Sequence, residues 1–280
     1  MRTTILLGAA MLSLGLHAPA THAAEPDEVL RAQHEALAGK LAKNDFGLPI
    51  YLDSQEDDER VTGDVYAVMD HPFAQLAASM KQPAQWCDVV MLVINVKHCE
   101  AGKGSVTMNV GRKAEQPLKD TYRVGFSHRV SAESARYLQV QLSAAEGPMG
   151  THDYRITLEA IPADRQHSFI HLRYAYGTGA GARIAMQAYL STVGRNKVGF
   201  SKTDSGDYVG GMRGAIERTT MRYYLAISSY LDSLSAPQNE RVERRLNHWF
   251  AATERYARQL HEMDRDEYLA LKRSEMRPTG

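Results

Sequence analysis

The sequence predicts an α+β fold, in which a long C-terminal helix covers the apolar face of a bent antiparallel sheet. Between residues 92 and 178, apolar and polar side chains alternate with a period close to two, the pattern of strands with one buried face. Residues 209–234 carry the longest amphipathic helical pattern of the chain. Because a single sheet must bury its apolar face against another layer, we expect this helix to cover it.

Ahead of the sheet, the N-terminal part predicts a helix, two strands and two short helices. Residues 27–43 repeat apolar side chains at three- and four-residue steps, which indicates an amphipathic helix. Residues 50–52 and 60–69 are predicted strands that an acidic turn separates. Pro72 and Pro83 each begin a short helical stretch, because proline is tolerated in the first turn of a helix.

Six strands then follow one another with short turns between them, which predicts an antiparallel meander. In the third of them, Tyr122, Val124 and Phe126 share one face, while Arg123 falls on the other. The six segments cover residues 92–101, 105–113, 121–130, 136–144, 153–161 and 168–177.

Two helical patterns follow the meander. Residues 183–194 are apolar on more than one side and are predicted to form a helical insertion. In the long helix, apolar side chains such as Met212 and Ile216 lie along one stripe, whereas Arg218 and Arg222 fall elsewhere. The stripe is therefore the surface expected to pack on the sheet.

Composition and charge exclude several classes of protein. The chain of 280 residues has 33 Lys plus Arg and 33 Asp plus Glu, which gives a formal net charge of zero. A neutral chain without a long block of one sign lacks the electrostatic signature of a nucleic-acid-binding protein, so we expect no nucleic-acid partner. No HExxH or zinc-ribbon spacing occurs, so we expect neither a metal nor another cofactor. No specific set of catalytic residues is present either, and we assign none.

The first 23 residues have the pattern of a secretory signal peptide. Arg2 provides a positive start, an apolar run extends from Ile5 to Leu16, and small residues occur up to Ala23. The run is shorter than the roughly 20 apolar residues of a membrane-spanning helix. We expect cleavage and a periplasmic protein, with an uncleaved N-terminal anchor as the alternative.

The two cysteines, Cys87 and Cys99, lie twelve positions apart. In a secreted protein an even number of cysteines favours a disulfide bond, and two cysteines allow only one pairing. Two separate buried thiols and a catalytic cysteine are the alternatives that the sequence leaves open.

The order of the predicted elements resembles the helix-grip fold of the START-related superfamily, also described as the polyketide cyclase/dehydrase and lipid-transport (SRPBCC) superfamily. The likeness is one of pattern and order and covers about residues 60–235. It is carried by the segments VYAVMDHPF (65–73), WCD (86–88), YVGGMRG (208–214) and ERTTMRYYL (217–225), together with the meander.

The resemblance implies a sheet curled around the C-terminal helix, with additional N- and C-terminal helices. It also implies an apolar cavity for a sterol, phospholipid, acyl chain or polycyclic molecule. The domain division that follows is a signal peptide (1–23), an N-terminal helix and lead-in strand (24–59), a START-like domain (60–235) with an insertion (179–207), and a charged helical tail (236–280).

Aromatic and long side chains on the predicted inner faces are the candidate ligand-binding residues. A tyrosine offers apolar area and one hydrogen-bonding end, which suits a ligand with a single polar group. An inward-pointing arginine on a strand can pair with a lipid phosphate or carboxylate. The candidates are Tyr122, Phe126, Tyr154, Arg155, Tyr174, Tyr176, Met212, Ile216 and Tyr223.

Three functional hypotheses remain from the sequence. The first is a periplasmic protein that binds or transports a hydrophobic small molecule or lipid, with transient membrane contact through residues 183–194. The second is a non-catalytic interaction module of the cell envelope whose cavity its own side chains fill. The third is a cyclase or hydrolase that uses the same cavity, for which the sequence shows no positioned acid–base pair. No protein partner is predicted.

Overall fold

The computed structural model describes residues 25–192 and 194–277, so the predicted signal peptide (1–23) lies outside the described residues. The predicted fold class is confirmed, since a curved antiparallel sheet encloses one long helix and further helices lie at both ends. The strands are β1 (Ile50–Glu56), β2 (Arg60–Met69), β3 (Val96–Gly102), β4 (Ser105–Val110), β5 (Tyr122–Glu133), β6 (Leu138–Glu146), β7 (Thr151–Pro162) and β8 (Ser168–Thr178). The helices are α1 (Pro26–Ala42), α2 (Phe73–Met80), α3 (Pro83–Val90), α4 (Ala180–Ser191), α5 (Gly211–Ser233), α6 (Arg241–Glu254), α7 (Ala257–Leu260) and α8 (Arg265–Glu275).

The eight strands form one antiparallel sheet in the order β1-β2-β8-β7-β6-β5-β4-β3. Strands β3 to β8 are the predicted meander, and the β1–β2 hairpin joins it through β8. Residues 92–95 are an exception to the predicted strand pattern, because they continue α3 as turns, with Leu92 N donating to Val89 O at 3.2 Å. Leu92 is buried in this turn. The apolar residues of the turn form a continuous run, and periodicity alone cannot distinguish such a run from a buried strand.

Helix α5 lies in the concave face of the sheet and packs against β1, β2 and β8. The helix comes close to the strand at Gly63 of β2. A Cβ atom at this position would lie 2.5 Å from Thr220 Oγ1 and 3.3 Å from the carbonyl oxygen of Ile216. Glycine is therefore the residue that lets the helix backbone come this near to the strand.

A second apolar cluster holds α1 on the opposite, convex face of the sheet. Leu30, Leu37 and Leu41 of α1 pack with Ile161 and Phe169 from β7 and β8. The central strands are therefore covered on both faces, by α5 on one and by α1 on the other.

The C-terminal helices have one solvated and one buried face. The ring of Trp249 in α6 stacks on Tyr268 in α8 with centroids 5.0 Å apart. The Tyr268 hydroxyl donates to Leu92 O at 2.9 Å, and the fully buried Lys272 donates from Nζ to Val96 O at 2.7 Å. The last helix is thereby bonded to the backbone on either side of the α3–β3 turn.

The predicted disulfide is present and joins α3 to β3. Cys87 and Cys99 lie twelve positions apart with their Cα atoms separated by 5.4 Å. The bond links a short helix to the edge strand on which α8 also docks.

Replacing both cysteines, Cys87→Ser with Cys99→Ser, is expected to lower the free energy of unfolding by about 3 kcal/mol, because the unfolded chain regains the entropy of an open loop. Urea denaturation followed by circular dichroism measures the change. The reduced wild-type protein should unfold at the same urea concentration as the double variant. Equal midpoints for the oxidised wild type and the variant would contradict a stabilising role for the bond.

Gly63→Ala is expected to lower the free energy of unfolding by about 1–3 kcal/mol, because the new methyl group overlaps Thr220 and Ile216. Gly125→Ala is the matched control, since Gly125 is also a strand residue and nothing lies within 4 Å of a Cβ atom there. Thermal unfolding of both variants is the measurement. If both lose the same stability, the close approach of α5 at Gly63 does not constrain the fold.

Candidate functional site

A cavity of about 630 Å³ lies between the concave face of the sheet, the first half of α5 and helix α4. Its volume exceeds the roughly 300 Å³ at the low end of small-molecule sites. The apolar part of its wall consists of Val93, Val96, Met108, Val110, Val124, Phe126, Met186, Leu190 and Ala215.

Five of the predicted site residues line this cavity and form one continuous aromatic wall. Tyr154 stacks on Tyr176 with ring centroids 5.3 Å apart, and its edge contacts Phe126 and Tyr174 at 6.2 Å. Tyr174 in turn packs against Tyr223 of α5 at 5.3 Å. Strand alternation brings the β-strand members together, because all of them fall on the concave face.

The phenols of this wall are neutral hydrogen-bonding groups. Burial raises the pKa values of Tyr174, Tyr176 and Tyr223 above their ordinary value. The Tyr154 hydroxyl is paired with Thr151 Oγ1 at 2.7 Å. Among the described residues no side chain forms a hydrogen bond with the hydroxyls of Tyr174, Tyr176 and Tyr223, so they can serve a ligand in the cavity that they line.

Four predicted site residues lie outside the cavity lining. Tyr122 is 54% exposed at the start of β5, beyond the part of the sheet that α5 and α4 cover. Arg155 is exposed, because its strand neighbours Tyr154 and Ile156 point to the concave side. Met212 and Ile216 are buried at the start of α5, where the helix packs tightly and leaves no space for a ligand.

The sequence-based reasoning missed a group of basic residues at one end of the cavity, which we call the basic end: Lys113, Lys197, Arg218 and Arg222. Arg218 and Arg222 are one helical turn apart, which places them on the same side of α5. That spacing was a usable signal. The helix is buried nearly all round, and Arg218 and Arg222, which lie off the apolar stripe, line the cavity.

One carboxylate, Glu262 from the segment between α7 and α8, contacts three of these four cations. Its Oε1 atom accepts from Arg222 at 2.6 Å and from Lys113, and its Oε2 atom accepts from Lys197 at 2.9 Å. Burial alone would raise the pKa of Glu262, but the charges of Arg222 and Lys113 outweigh it and lower the pKa to about 2. Glu262 is therefore ionised throughout the physiological pH range.

The basic residues also perturb one another. Burial and the charge of Arg222 lower the pKa of Lys113 to about 8, and the same two causes lower the pKa of Arg218 to about 10. Arg218 Nη1 donates to the carbonyl oxygens of Lys197 and Val198 at 2.7 and 3.1 Å. The described lining includes no Asp, Glu or His, so the cavity combines apolar walls with an excess of positive charge.

The cavity entrance is bordered by exposed apolar side chains. Met149 in the β6–β7 turn is 64% exposed, and Tyr189 in α4 is 48% exposed. Both line the cavity, and Ile184, also on α4, is 68% exposed. Arg112, an exposed residue of the β4–β5 loop, is the fifth cation of the lining.

A second polar cluster lies on the convex face, centred on His171. His171 Nε2 is 2.6 Å from Asp64 Oδ1, and Nδ1 is 2.9 Å from Glu159 Oε2. Asp64 also accepts from Arg173 Nε at 2.7 Å, and the ring of Tyr66 stacks on the imidazole at 4.3 Å. Because carboxylates occupy both ring nitrogens, neither is free to act on a substrate, and the cluster joins β2, β7 and β8.

In the described part of the chain, no three His, Cys, Asp or Glu side chains converge in a way that could hold a metal ion. Among residues 25–192 and 194–277, no helix combines the length and apolar character that crossing a membrane requires.

No protein-family model matches the chain, and no curated protein matches its sequence. Similar solved structures include norcoclaurine synthase from Thalictrum flavum, with 14% identity over 50% of this chain and 89% of that chain and a TM-score of 0.35. They also include Ara h 8.0201, with 12% identity over 66% of this chain and 99% of that chain and a TM-score of 0.35. A Streptomyces aromatase/cyclase has 10% identity over 71% of this chain and 95% of that chain and a TM-score of 0.31.

At TM-scores below 0.5 these similarities carry no argument about this chain. Its fold is established by its own element order and packing. Membership of the START-related superfamily stays a prediction from the sequence pattern.

The His171 cluster predicts a pH-dependent contribution to stability. Burial opposes protonation of His171, but the hydrogen bonds that it donates to Asp64 and Glu159 outweigh burial and raise the pKa of the imidazole above 6.5. The hydrogen bonds that Asp64 and Glu159 accept from His171 likewise overcome the effect of burial on these carboxylates, and their pKa values fall below 3.8 and 4.5. The stabilisation is therefore complete between about pH 4.5 and 6.5 and declines on either side.

His171→Gln is accordingly expected to cost about 3 kcal/mol near pH 5.5, because it leaves the partly buried Glu159 without a cation and the buried Asp64 with Arg173 alone, and less near pH 9. Urea unfolding at both pH values measures the difference. The control is His167→Gln, which removes a partly exposed histidine and should change stability little at either pH. A loss that is equal at the two pH values would contradict a charged His171.

Proposed function

We propose that the protein binds a hydrophobic small molecule or lipid in its internal cavity and carries it through an aqueous compartment. The observation that supports this most strongly is the cavity of about 630 Å³ with a continuous aromatic and aliphatic wall. Water in such a space finds few hydrogen-bond partners in the apolar walls. Each CH₂ group of a ligand that is buried there contributes about 0.8 kcal/mol to the free energy of binding.

The cavity distinguishes this proposal from the alternative of an interaction module. An interaction module needs a core filled by its own side chains, and close packing of that kind leaves few voids larger than a water molecule. Acid–base catalysis, the other alternative, needs a positioned pair of proton donor and acceptor; the described lining has no carboxylate or imidazole, and its lysines Lys113 and Lys197 are bound to Glu262. We therefore place ligand binding first.

The compartment we propose is the periplasm. The signal-peptide pattern of residues 1–23 supports it. The bond between Cys87 and Cys99 is also of the kind that persists in oxidising compartments.

We further propose that ligand exchange involves transient contact with a membrane surface. The exposed side chains of Met149 and Tyr189 in the cavity lining, and of Ile184 on the same helix as Tyr189, support this, because exposed apolar groups can enter the interfacial layer of a bilayer. The contact would bring the entrance against the source of the ligand.

Filling the cavity tests the proposal. Ala215 is a small residue of α5 in the lining, so Ala215→Trp is expected to occupy ligand space and to weaken binding of an apolar fluorescent probe by about tenfold or more, equivalent to ~1.4 kcal/mol. Ala135→Trp is the control, since Ala135 is exposed in the β5–β6 turn. Native mass spectrometry of wild-type protein from the periplasm should show a bound lipid.

The bare polypeptide in native mass spectra, together with no probe binding by the wild type, would refute ligand binding. Equal probe binding by the wild type and Ala215→Trp would place the ligand outside this cavity. Circular dichroism of both tryptophan variants verifies that the fold is retained.

A further inference from the structure

The basic end holds more positive charge than the protein neutralises. Lys113, Lys197 and Arg222 share the two oxygens of Glu262, and Arg218 has backbone carbonyl oxygens as its hydrogen-bond partners. Four cations thus face one carboxylate, and two of them, Arg218 and Arg222, are buried. Buried charges are costly unless they are paired, so this arrangement favours an additional anion.

The other buried carboxylate of this region does not supply that charge. Glu217 is fully buried on α5, but its Oε1 atom accepts from Ser54 Oγ at 2.6 Å. Its Oε2 atom accepts from the backbone N–H groups of Phe200 and Ser201 at 2.6 and 2.9 Å. These bonds occupy the Glu217 carboxylate at β1 and the loop before α5, so its charge acts on Arg218 but it forms no hydrogen bond with the guanidinium groups that line the cavity.

Arg222 provides a donor without an acceptor. Its side chain is 9% exposed, it lines the cavity, and its Nε atom has no hydrogen-bond partner among the described residues. The Nε atom itself is enclosed by protein, so an anion in the cavity meets the part of the Arg222 guanidinium group that lines it, for which a carboxylate or phosphate oxygen is the acceptor that suits it best. Arg222 is also the neighbour of Tyr223, so an anion here would lie beside the aromatic wall.

We infer that the ligand is an anionic amphiphile whose carboxylate or phosphate head binds at the basic end while its apolar part lies along the aromatic wall. The inference rests on the proposed function and adds the chemical class of the ligand. Glu262 then has a positioning role, because it holds Lys113, Lys197 and Arg222 around the place of the head group.

Dansyl-undecanoic acid and its methyl ester test the inference, because they differ only in the charge of the head. Fluorescence titration of the full-length protein is expected to give a dissociation constant about tenfold or more lower for the acid than for the ester. In Arg222→Met the affinity for the acid should fall by about tenfold, while the affinity for the ester stays the same.

Lys113→Met provides a second variant that does not depend on a fully buried position, since the Lys113 side chain is 40% exposed. This variant should likewise lower the affinity for the acid and leave the affinity for the ester unchanged. Lys202→Met is the matched control, because Lys202 pairs with Asp45 outside this cavity and its loss should leave both affinities unchanged. Circular dichroism verifies folding of all three variants.

Dodecyl phosphate and inorganic phosphate, as competitors of the acid probe, distinguish a lipid head group from a free anion. Displacement by dodecyl phosphate at much lower concentration than by inorganic phosphate supports the amphiphile, whereas equal potency overturns it in favour of a free-anion site. Equal wild-type affinities for the acid and the ester would overturn the inference and leave the proposed function intact. Failure of both probes to bind would instead overturn the proposed function.

Discussion

The packing of one helix into a larger curved sheet is the constraint on which the structure depends. α5 approaches β2 as closely as the absence of a side chain at Gly63 permits, and it covers β1, β2 and β8. A single helix is too narrow to cover eight strands as well. Part of the concave surface of β4, β5 and β7 therefore lies beyond the reach of α5, and the cavity occupies the space there.

The same burial explains why α5 needs partners from elsewhere in the chain. Glu217, Arg218 and Arg222 are all buried on this helix, and a buried charge without a partner destabilises a protein strongly. The loop before α5 binds Glu217 and Arg218 through backbone groups, and the segment after α7 provides Glu262. The insertion and the C-terminal segment are thus parts of the domain that satisfy the charges of its central helix.

The two faces of the sheet show how differently buried polar groups can be satisfied. On the convex face, His171 and Arg173 are matched by Asp64 and Glu159, so this cluster is locally balanced and has a structural role. At the basic end of the concave face, cations outnumber the carboxylate that contacts them. The balanced charges of the His171 cluster suit a structural role, whereas the excess positive charge of the basic end suits an external ligand.

The sequence by itself determined the α+β class, the meander and the long helix, because these follow from local periodicity; it favoured a Cys87–Cys99 bond, which the structure then showed. It also identified the aromatic wall from Phe126 to Tyr176, since strand alternation decides which side chains share a face. Only the tertiary structure decided which concave-side residues border empty space, and so Tyr122, Met212 and Ile216 lie outside the cavity. Only the tertiary structure brought Glu262 together with Lys113, Lys197 and Arg222. These contacts join segments that are far apart in the chain, and local sequence patterns do not predict contacts of that kind.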